Sequence, residues 1–297
     1  MGKRLDLKVG FICNNNCRFC VQAHKKELGN RNKEELLKEL KEARKNCDSV
    51  VFTGGEVTLR EDLFELIAYA KKLGYKSIQL QSNVRMLSYM SFCKKLVNAG
   101  VSEFSPALHG HTAELHDYLT RAKGSFNQTT KAIKNLKELN QYIITNSVVV
   151  KPNYKYLPEL ANLLVGLGVH QYQLAFMHAV GNAWKYIDEM MPRVSEAAPY
   201  IHKALQVGID SDVMCMAEAM PFCQMKGYEK YCSEHFIPST EIRDKDSITE
   251  FFEKTRVKEG KKKFPKCRQC KWDGVCEGPW REYPEKFGDD EFQPVKS

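Results

Sequence analysis

No run of about 18 apolar residues occurs in the 297-residue chain, so nothing in it has the length of a membrane-spanning helix. The opening Met1-Gly2-Lys3-Arg4-Leu5-Asp6 has no apolar stretch that would export or anchor the protein, and a cytoplasmic location is the expectation. No internal repeat is found, and no low-complexity tract beyond one lysine-rich run. The low hydrophobicity of a disordered chain is missing too, since 43% of residues are hydrophobic against 28% charged. The length suits one large domain with an appendage, or two modest ones. A broad basic face is also absent. The net charge is +8, but between Arg256 and Lys271 eight Lys/Arg stand against one Glu, a surplus of seven that leaves about +1 for the rest. One local run fits a solvated loop better than a phosphate track, so nucleic acid is not the expected partner.

Cysteine, by contrast, is abundant. Eleven thiols are many for a reducing compartment, where clustered cysteines hold metal or do redox work more often than they form disulfides. Nine fall into three groups: Cys13/Cys17/Cys20, Cys215/Cys223/Cys232 and Cys267/Cys270/Cys276. Cys47 and Cys93 lie alone in stretches of helical pattern and are expected to be buried and inert.

From Leu5 to about Phe176, short apolar runs alternate with amphipathic stretches. Strands are expected at Leu5 to Phe11, Ser49 to Phe52, Ser77 to Gln81, Glu103 to Ala107, Tyr142 to Val150 and Gln171 to Phe176. Helices are expected at Lys33 to Asn46, Glu61 to Leu73, Tyr89 to Ala99, Ser125 to Leu139 and Leu157 to Leu167, with a sixth at Arg193 to Val207. Such alternation requires parallel strands with helices outside. Six units are too few for a closed eight-stranded barrel, leaving a partial, open-sided barrel or a doubly wound sheet. In both, ligands gather at the carboxyl ends of the strands. After residue 207 the alternation stops and Cys, Met, Pro and Lys dominate, which divides the chain into 1–207 and 208–297.

Cys13-x3-Cys17-x2-Cys20 follows the first strand, where a site is expected. A structural zinc or a self-contained iron–sulfur cluster wants a fourth ligand, which His24 could supply as a small zinc knuckle. Alternatively, the fourth position stays open so that a ligand can bind one iron directly. Here the sequence resembles the radical S-adenosylmethionine superfamily, whose signature is C-x3-C-x-aromatic-C after the first strand, with Phe19 in the aromatic slot. The resemblance implies a [4Fe-4S] cluster on Cys13, Cys17 and Cys20. It also implies S-adenosylmethionine chelated to the open iron and cleaved to a 5'-deoxyadenosyl radical that takes hydrogen from a substrate.

Further motifs fit that family. Gly54-Gly55-Glu56 resembles its GGE motif, with glycines for close ligand approach and acceptors for the cofactor's amino group. Alone it would be only a turn before a helix. Ser82-Asn83 resembles the polar stop of the branch containing the molybdenum-cofactor, pyrroloquinoline-quinone and sulfatase-maturing enzymes, with Val84 in place of a glycine. His116-Asp117 through Arg121 to Gly124-Ser125-Phe126 resembles that branch's HD-x3-R and GSF segment, implying Arg121 on the cofactor's carboxylate. The nearby histidines could suggest a metal site, but a polar loop with Asp117 capping a turn is the preferred reading. Asn146 and Gln173 could reach the ribose or merely satisfy backbone, with Asn146 the preferred cofactor contact.

Cys267-x2-Cys270-x5-Cys276 has metal-grade spacing, and a second pair from Cys223 or Cys232 would permit a zinc ribbon. The family resemblance implies instead a SPASM or twitch-like extension bearing an auxiliary [4Fe-4S] cluster. The full two-cluster pattern is broken where Trp280 stands at its last cysteine, so one auxiliary cluster is expected, on Cys223, Cys267, Cys270 and Cys276. Cys215 and Cys232 remain alternatives, and zinc is the lesser reading.

The overall expectation is a partial (βα)6 TIM-like barrel with a small Cys-rich C-terminal domain, acting as a radical enzyme. Its substrate would be a peptide or protein side chain, oxidised or cross-linked, with an electron donor such as flavodoxin or ferredoxin. The barrel begins by residue 5, so any leader-binding element is expected from another chain. The alternatives are a small-molecule or cofactor synthase on the same core, and a non-enzymatic metal- or RNA-binding module.

Overall fold

The computed structural model describes residues 2–296. The described residues form one sheet in the order β7-β6-β5-β4-β3-β2-β1-β8-β9. Its strands are β1 (Lys3–Lys8), β2 (Cys47–Thr53), β3 (Ser77–Ser82), β4 (Glu103–Pro106), β5 (Tyr142–Val149), β6 (Gln171–Phe176), β7 (Met214–Glu218), β8 (Thr240–Arg243) and β9 (Ile248–Thr249). All neighbours pair in parallel except β8 with β9. The edges β7 and β9 do not meet, so the sheet is a partial barrel of TIM type rather than a closed one.

The helices that return the chain are α1 (Lys33–Ala43), α2 (Leu63–Lys72), α3 (Met90–Ala99), α4 (Ala113–Thr120), α5 (Ser125–Glu138) and α6 (Leu157–Gly166), followed by the short α7 (Asn182–Lys185) and α8 (Ile187–Met190) and the long α9 (Val194–Asp210). Period-3.6 apolar positions make their core faces: Leu36, Leu40 and Ala43 on α1, and Leu63, Leu66, Ile67 and Ala70 on α2, are buried. Along β5 and β6 alternate residues are fully buried under the helices, Ile143, Thr145, Ser147 and Val149, then Tyr172, Leu174 and Phe176. The intervening residues, including Asn146 and Gln173, face the concave side.

Three features differ from the pattern in the sequence. Cys47 is not helical; α1 ends at Ala43, and Cys47 opens β2, pairs with Lys3 of β1 and is buried. The histidine-bearing stretch before Ser125 contains α4, capped by the Thr112 side chain on the Leu115 N–H. Beyond residue 207 the sheet continues: β7 pairs with β6, and β8 with β1. The strand β8 is hidden in sequence because Glu241 and Arg243 are buried charges, paired with each other at 2.8 Å and with Lys3 and Glu42. None of the described helices is long and apolar enough to cross a membrane.

Candidate active site

The Cys13-to-Cys20 loop leaves the carboxyl end of β1 and is held from several sides. The Gly55 and Glu56 N–H groups donate to the Gly10 and Ile12 carbonyls at 2.8 and 2.7 Å. A Cβ on Gly54 would stand 2.2 Å from the Gly10 oxygen, and one on Gly55 2.3 Å from the Ile12 oxygen. The two glycines therefore permit a close chain-to-chain approach. Further along, the Asn16 and Arg18 N–H groups donate to the Thr120 and Leu119 carbonyls at 2.9 Å, so the end of α4 grips the loop. Asn182 closes it: its N–H donates to the Cys20 carbonyl at 2.9 Å and its side chain to the Cys17 carbonyl at 2.9 Å.

Cys13, Cys17 and Cys20 are all partly exposed by residue, yet burial of their sulfurs pushes each thiol pKa up. Cys17 is raised furthest, by burial first and then by Cys20 and Cys13, so the three sulfurs lie close enough to repel as thiolates. A bound cation relieves both effects, which is the donor set a metal cluster wants. Cys13 also accepts the Asn15 N–H at 3.4 Å. Phe19 is buried with its ring edge-on to His109, centroids 4.6 Å apart.

Glu56 is a buried hub. One oxygen accepts from the Thr58 N–H at 3.0 Å and from the Thr58 and Ser82 hydroxyls at 2.6 Å each; the other accepts the Asn83 N–H at 2.7 Å. The carboxylate thus fixes the end of β3, and only its second oxygen has capacity left for a ligand. Ser82 is spent in the same network, accepting the Val84 N–H at 2.8 Å. Val84, in the place of a glycine, adopts the left-handed region with φ of 54°. Asn83 donates to Asn14 at 2.7 Å and lies 4.0 Å from the Cys13 sulfur. Arg85, which carried no signal in the sequence, donates to the Asn14 carbonyl and the Asn15 side chain at 2.8 and 2.9 Å and so ties β3 to the cysteine loop.

Across the mouth, Asn146 has a side-chain oxygen that is buried with no partner among the described residues, a free acceptor on the concave face. Gln173 is instead engaged by Glu218 of β7. Arg121 ends α4 with φ of 53°, is exposed, and donates to the Tyr186 hydroxyl at 3.2 Å. Its remaining donors have no hydrogen-bond partner among the described residues.

His109 and His116 serve the backbone, whereas His111 has a buried Nδ1 with no partner among the described residues. His109 Nδ1 accepts the Val148 N–H and His116 Nδ1 the His109 N–H, both at 3.1 Å, and the rings stack. Asp117 accepts from Gly124, Ser125 and Phe126, as a turn cap. Burial first, and Arg85 with it, pushes His116 down to about 4 against a smaller upward pull from Asp117. The unfolded chain therefore binds a proton below about pH 6.5 that the folded chain refuses until about pH 4, so this contribution is complete above 6.5 and is lost as pH falls between them. The unfolding free energy from urea titration should fall across that window by about 1.4 kcal/mol per pH unit for each proton. A His116→Gln variant, still an acceptor for the His109 N–H, should show a shallower fall.

The second thiol set is brought together. Cys223, Cys267, Cys270 and Cys276 line one cavity with Phe264 and Trp272. Backbone N–H groups of Phe264, Val295 and Phe222 approach the sulfurs of Cys267, Cys270 and Cys276 at 3.5, 3.4 and 3.5 Å. Burial, and then Cys276, Cys270 and Cys267, push Cys223 up to about 12. Cys215 is elsewhere: its thiol donates to the Leu205 carbonyl inside α9. Cys232 is fully buried near Cys276 but does not line the cavity. Among the described residues no three His, Cys, Asp or Glu side chains converge tightly enough to hold a single metal ion. Trp280, where the full pattern has cysteine, donates to the Phe176 carbonyl at 3.2 Å and stacks on His178, joining this region to the end of β6.

Beside the first thiol loop a cleft of about 430 Å³ is lined by His24, Ala179, Val180, Gly181, Trp184 and Glu282. It abuts the first loop, since a Cβ on Gly181 would stand 2.6 Å from the Cys20 carbonyl.

Comparison with known proteins agrees with this geometry. An AdoMet-dependent heme synthase of Oleidesulfovibrio alaskensis is 29% identical over 176 residues, 58% of this chain and 44% of that protein. A probable GTP 3',8-cyclase of Saccharolobus islandicus is 30% identical over 181 residues, 60% of this chain and 58% of that one. The chain thus matches about half the length of these relatives. Among solved structures, Streptococcus suis SuiB bound to S-adenosylmethionine superposes with a TM-score of 0.69 at 16% identity, covering 99% of this chain and 76% of that one. The enzyme anSMEcpe with bound AdoMet and a peptide superposes with a TM-score of 0.66 at 15% identity, covering 98% and 92%. At such identities the likeness is one of fold. The model of the Radical SAM superfamily matches residues 7–164, more than half of the chain, from the end of β1 into α6; the protein belongs to the radical SAM superfamily and is an enzyme.

Proposed function

We propose that the protein modifies a peptide or protein side chain, by oxidation or cross-linking, with S-adenosylmethionine on a [4Fe-4S] cluster held by Cys13, Cys17 and Cys20. When bound, cluster and cofactor supply a 5'-deoxyadenosyl radical that takes one hydrogen atom from substrate. The chain's part is positioning and exclusion of water. Phe19 packs behind the loop, and Gly54 and Gly55 hold it against β2. Glu56 and Ser82 fix Asn83 at the Cys13 side, with one Glu56 oxygen left for the cofactor's amino group. The unpartnered Asn146 oxygen offers an acceptor to a ribose hydroxyl. Arg121, with donors to spare at the rim, serves the cofactor's carboxylate once it turns from Tyr186. The cleft beside Gly181 admits the substrate.

We assign residues 208–297 to a SPASM- or twitch-like unit with one auxiliary [4Fe-4S] cluster on Cys223, Cys267, Cys270 and Cys276. The observation that supports it is the four-thiol cavity with three backbone N–H groups directed at its sulfurs, since such donors stabilise thiolates spread over a cluster. Zinc needs its ligands converging on one point, a poorer fit to thiols arranged around a cavity.

The peptide reading is supported by likeness in fold to SuiB with its precursor peptide and to anSMEcpe with a peptide. A small-molecule synthase is the second reading, supported by the sequence relatives, a heme synthase and GTP 3',8-cyclases. Deuterium transfer separates them. Incubation with deuterated peptides encoded beside the gene should place label in 5'-deoxyadenosine; no transfer from any of them, with transfer from a small molecule, would overturn the peptide reading.

A further inference from the structure

The short helix α7 ties one wall of the cleft to the cysteine loop. Asn182 binds the Cys17 and Cys20 carbonyls and Ala183 is fully buried, which leaves Trp184 turned outward, 50% exposed and lining the cleft. Of the three tryptophans in the chain, Trp272 lies against Phe222 and Lys271, and Trp280 against His178 and Lys261. Trp184 has no aromatic or cationic partner among the described residues, and its neighbour Lys185 lies over the Tyr186 ring instead. Glu282 is the one carboxylate of the lining, and no lysine or arginine joins it there among the described residues. His178 stands 3.2 Å from one Glu282 oxygen without a hydrogen bond to it, and is itself stacked on Trp280. Burial opposes ionisation of Glu282, yet His178, the residue's own backbone N–H and Arg281 together hold its carboxyl below the usual range. Ala179, Val180 and Gly181 add small apolar surface.

An indole and an ionised carboxylate in one cleft, with no cation to answer either, are complementary to an ammonium or guanidinium group: the ring's π-face attracts the charge and the carboxylate pairs with it. An anionic substrate group would meet the same carboxylate as a like charge and be repelled. The small apolar lining suits the methylene stem that a lysine or arginine side chain carries and a peptide's α-amine lacks. We propose that the cleft receives a lysine or arginine side chain of the peptide substrate, its charged head on Trp184 and Glu282 and its stem on Ala179 and Val180. The inference rests on the reading of this cleft as the peptide's entry. Because Asn182 ties the same helix to the cysteine loop, a side chain seated there holds the peptide beside the site of radical formation.

The test is titration calorimetry at about pH 8, where an ordinary imidazole is uncharged. N-acetylated, amidated Ser/Ala heptapeptides with a central Lys, Arg, norleucine or Glu are titrated into the anaerobically reconstituted chain holding S-adenosylmethionine. The Lys and Arg peptides should bind roughly tenfold tighter than the norleucine peptide, and the Glu peptide most weakly. Glu282→Gln and Trp184→Leu should each remove most of that preference, and Trp184→Phe, which keeps a ring, should retain part of it. Glu138→Gln, at an exposed carboxylate on α5, should leave it intact. Equal binding of the Lys and norleucine peptides, or a preference that survives Glu282→Gln, would overturn the proposal. Tighter binding of an unacetylated norleucine peptide than of the acetylated Lys peptide would move the cation to the α-amine and overturn the side-chain assignment. Loss of S-adenosylmethionine binding rather than peptide binding in Glu282→Gln would give the cleft to the cofactor and overturn it too. Deuterium transfer keeps the two readings apart. A failed cation preference alongside transfer from a gene-adjacent peptide overturns this inference alone, whereas transfer from a small molecule and from no peptide overturns both.

Discussion

A Glu56→Ala variant should lose most S-adenosylmethionine cleavage and be destabilised by roughly 3–5 kcal/mol, because four buried or half-buried donors would lose their acceptor at once. The Thr58 N–H and hydroxyl, the Ser82 hydroxyl and the Asn83 N–H all converge on that carboxylate. Cleavage should suffer with stability, since Asn83 and Arg85 carry the strain to Asn14 and Asn15 inside the cysteine loop. Glu56→Gln divides the two effects. Its oxygen can still serve Thr58 and Ser82, but its amide would face the Asn83 N–H, donor against donor. Urea midpoints near wild type with cleavage strongly reduced are therefore expected for Gln, and both reduced for Ala. Full turnover in the Gln variant would show that neither the Asn83 contact nor a free Glu56 oxygen matters to the cofactor.

The same corner explains what was legible in the sequence. Spacing located the loop, the glycines and the barrel, because a strand–helix alternation and a three-thiol signature are local patterns. The reason for Gly54 and Gly55 was not local: it lies in the Gly10 and Ile12 carbonyls, about 45 residues upstream, and only pairing of β1 with β2 brings them into contact. Arg85 and Asn182 were invisible for the same reason. Each is a lone polar residue whose partners, Asn14 and Cys17, belong to another unit of the barrel. The strand β8 escaped because its buried charges, Glu241 and Arg243, satisfy each other and so break the apolar pattern that announces a strand. His109 and His116 are tied to the backbone by contacts equally invisible in the sequence, since each Nδ1 accepts an N–H from a residue of another segment, Val148 and His109 respectively.

Removing the second thiol set should separate cofactor cleavage from product formation. A Cys267→Ala/Cys270→Ala variant, reconstituted without oxygen, should fall from about eight irons per chain to about four, since two ligands of one cubane are gone while Cys13, Cys17 and Cys20 are untouched. Cleavage of S-adenosylmethionine to 5'-deoxyadenosine should persist, because the first loop is held by Gly55, Leu119, Thr120 and Asn182 and, among the described residues, by no hydrogen bond from the cavity. Product from substrate should be lost. The fold should survive, because Trp280 still anchors the region through the Phe176 carbonyl and Tyr283 still donates structure through its contacts with Val194 and Glu291. Eight irons retained would move the ligands to Cys215 or Cys232, although the first is turned into α9 and the second lies off the cavity. Four irons and one zinc in the unaltered protein would make the cavity a structural site, and the variant should then lose stability rather than product. A cleavage defect matching the iron loss would mean that the two thiol sets act as one unit, which would require contacts between them beyond the Trp280–His178 stack at the end of β6.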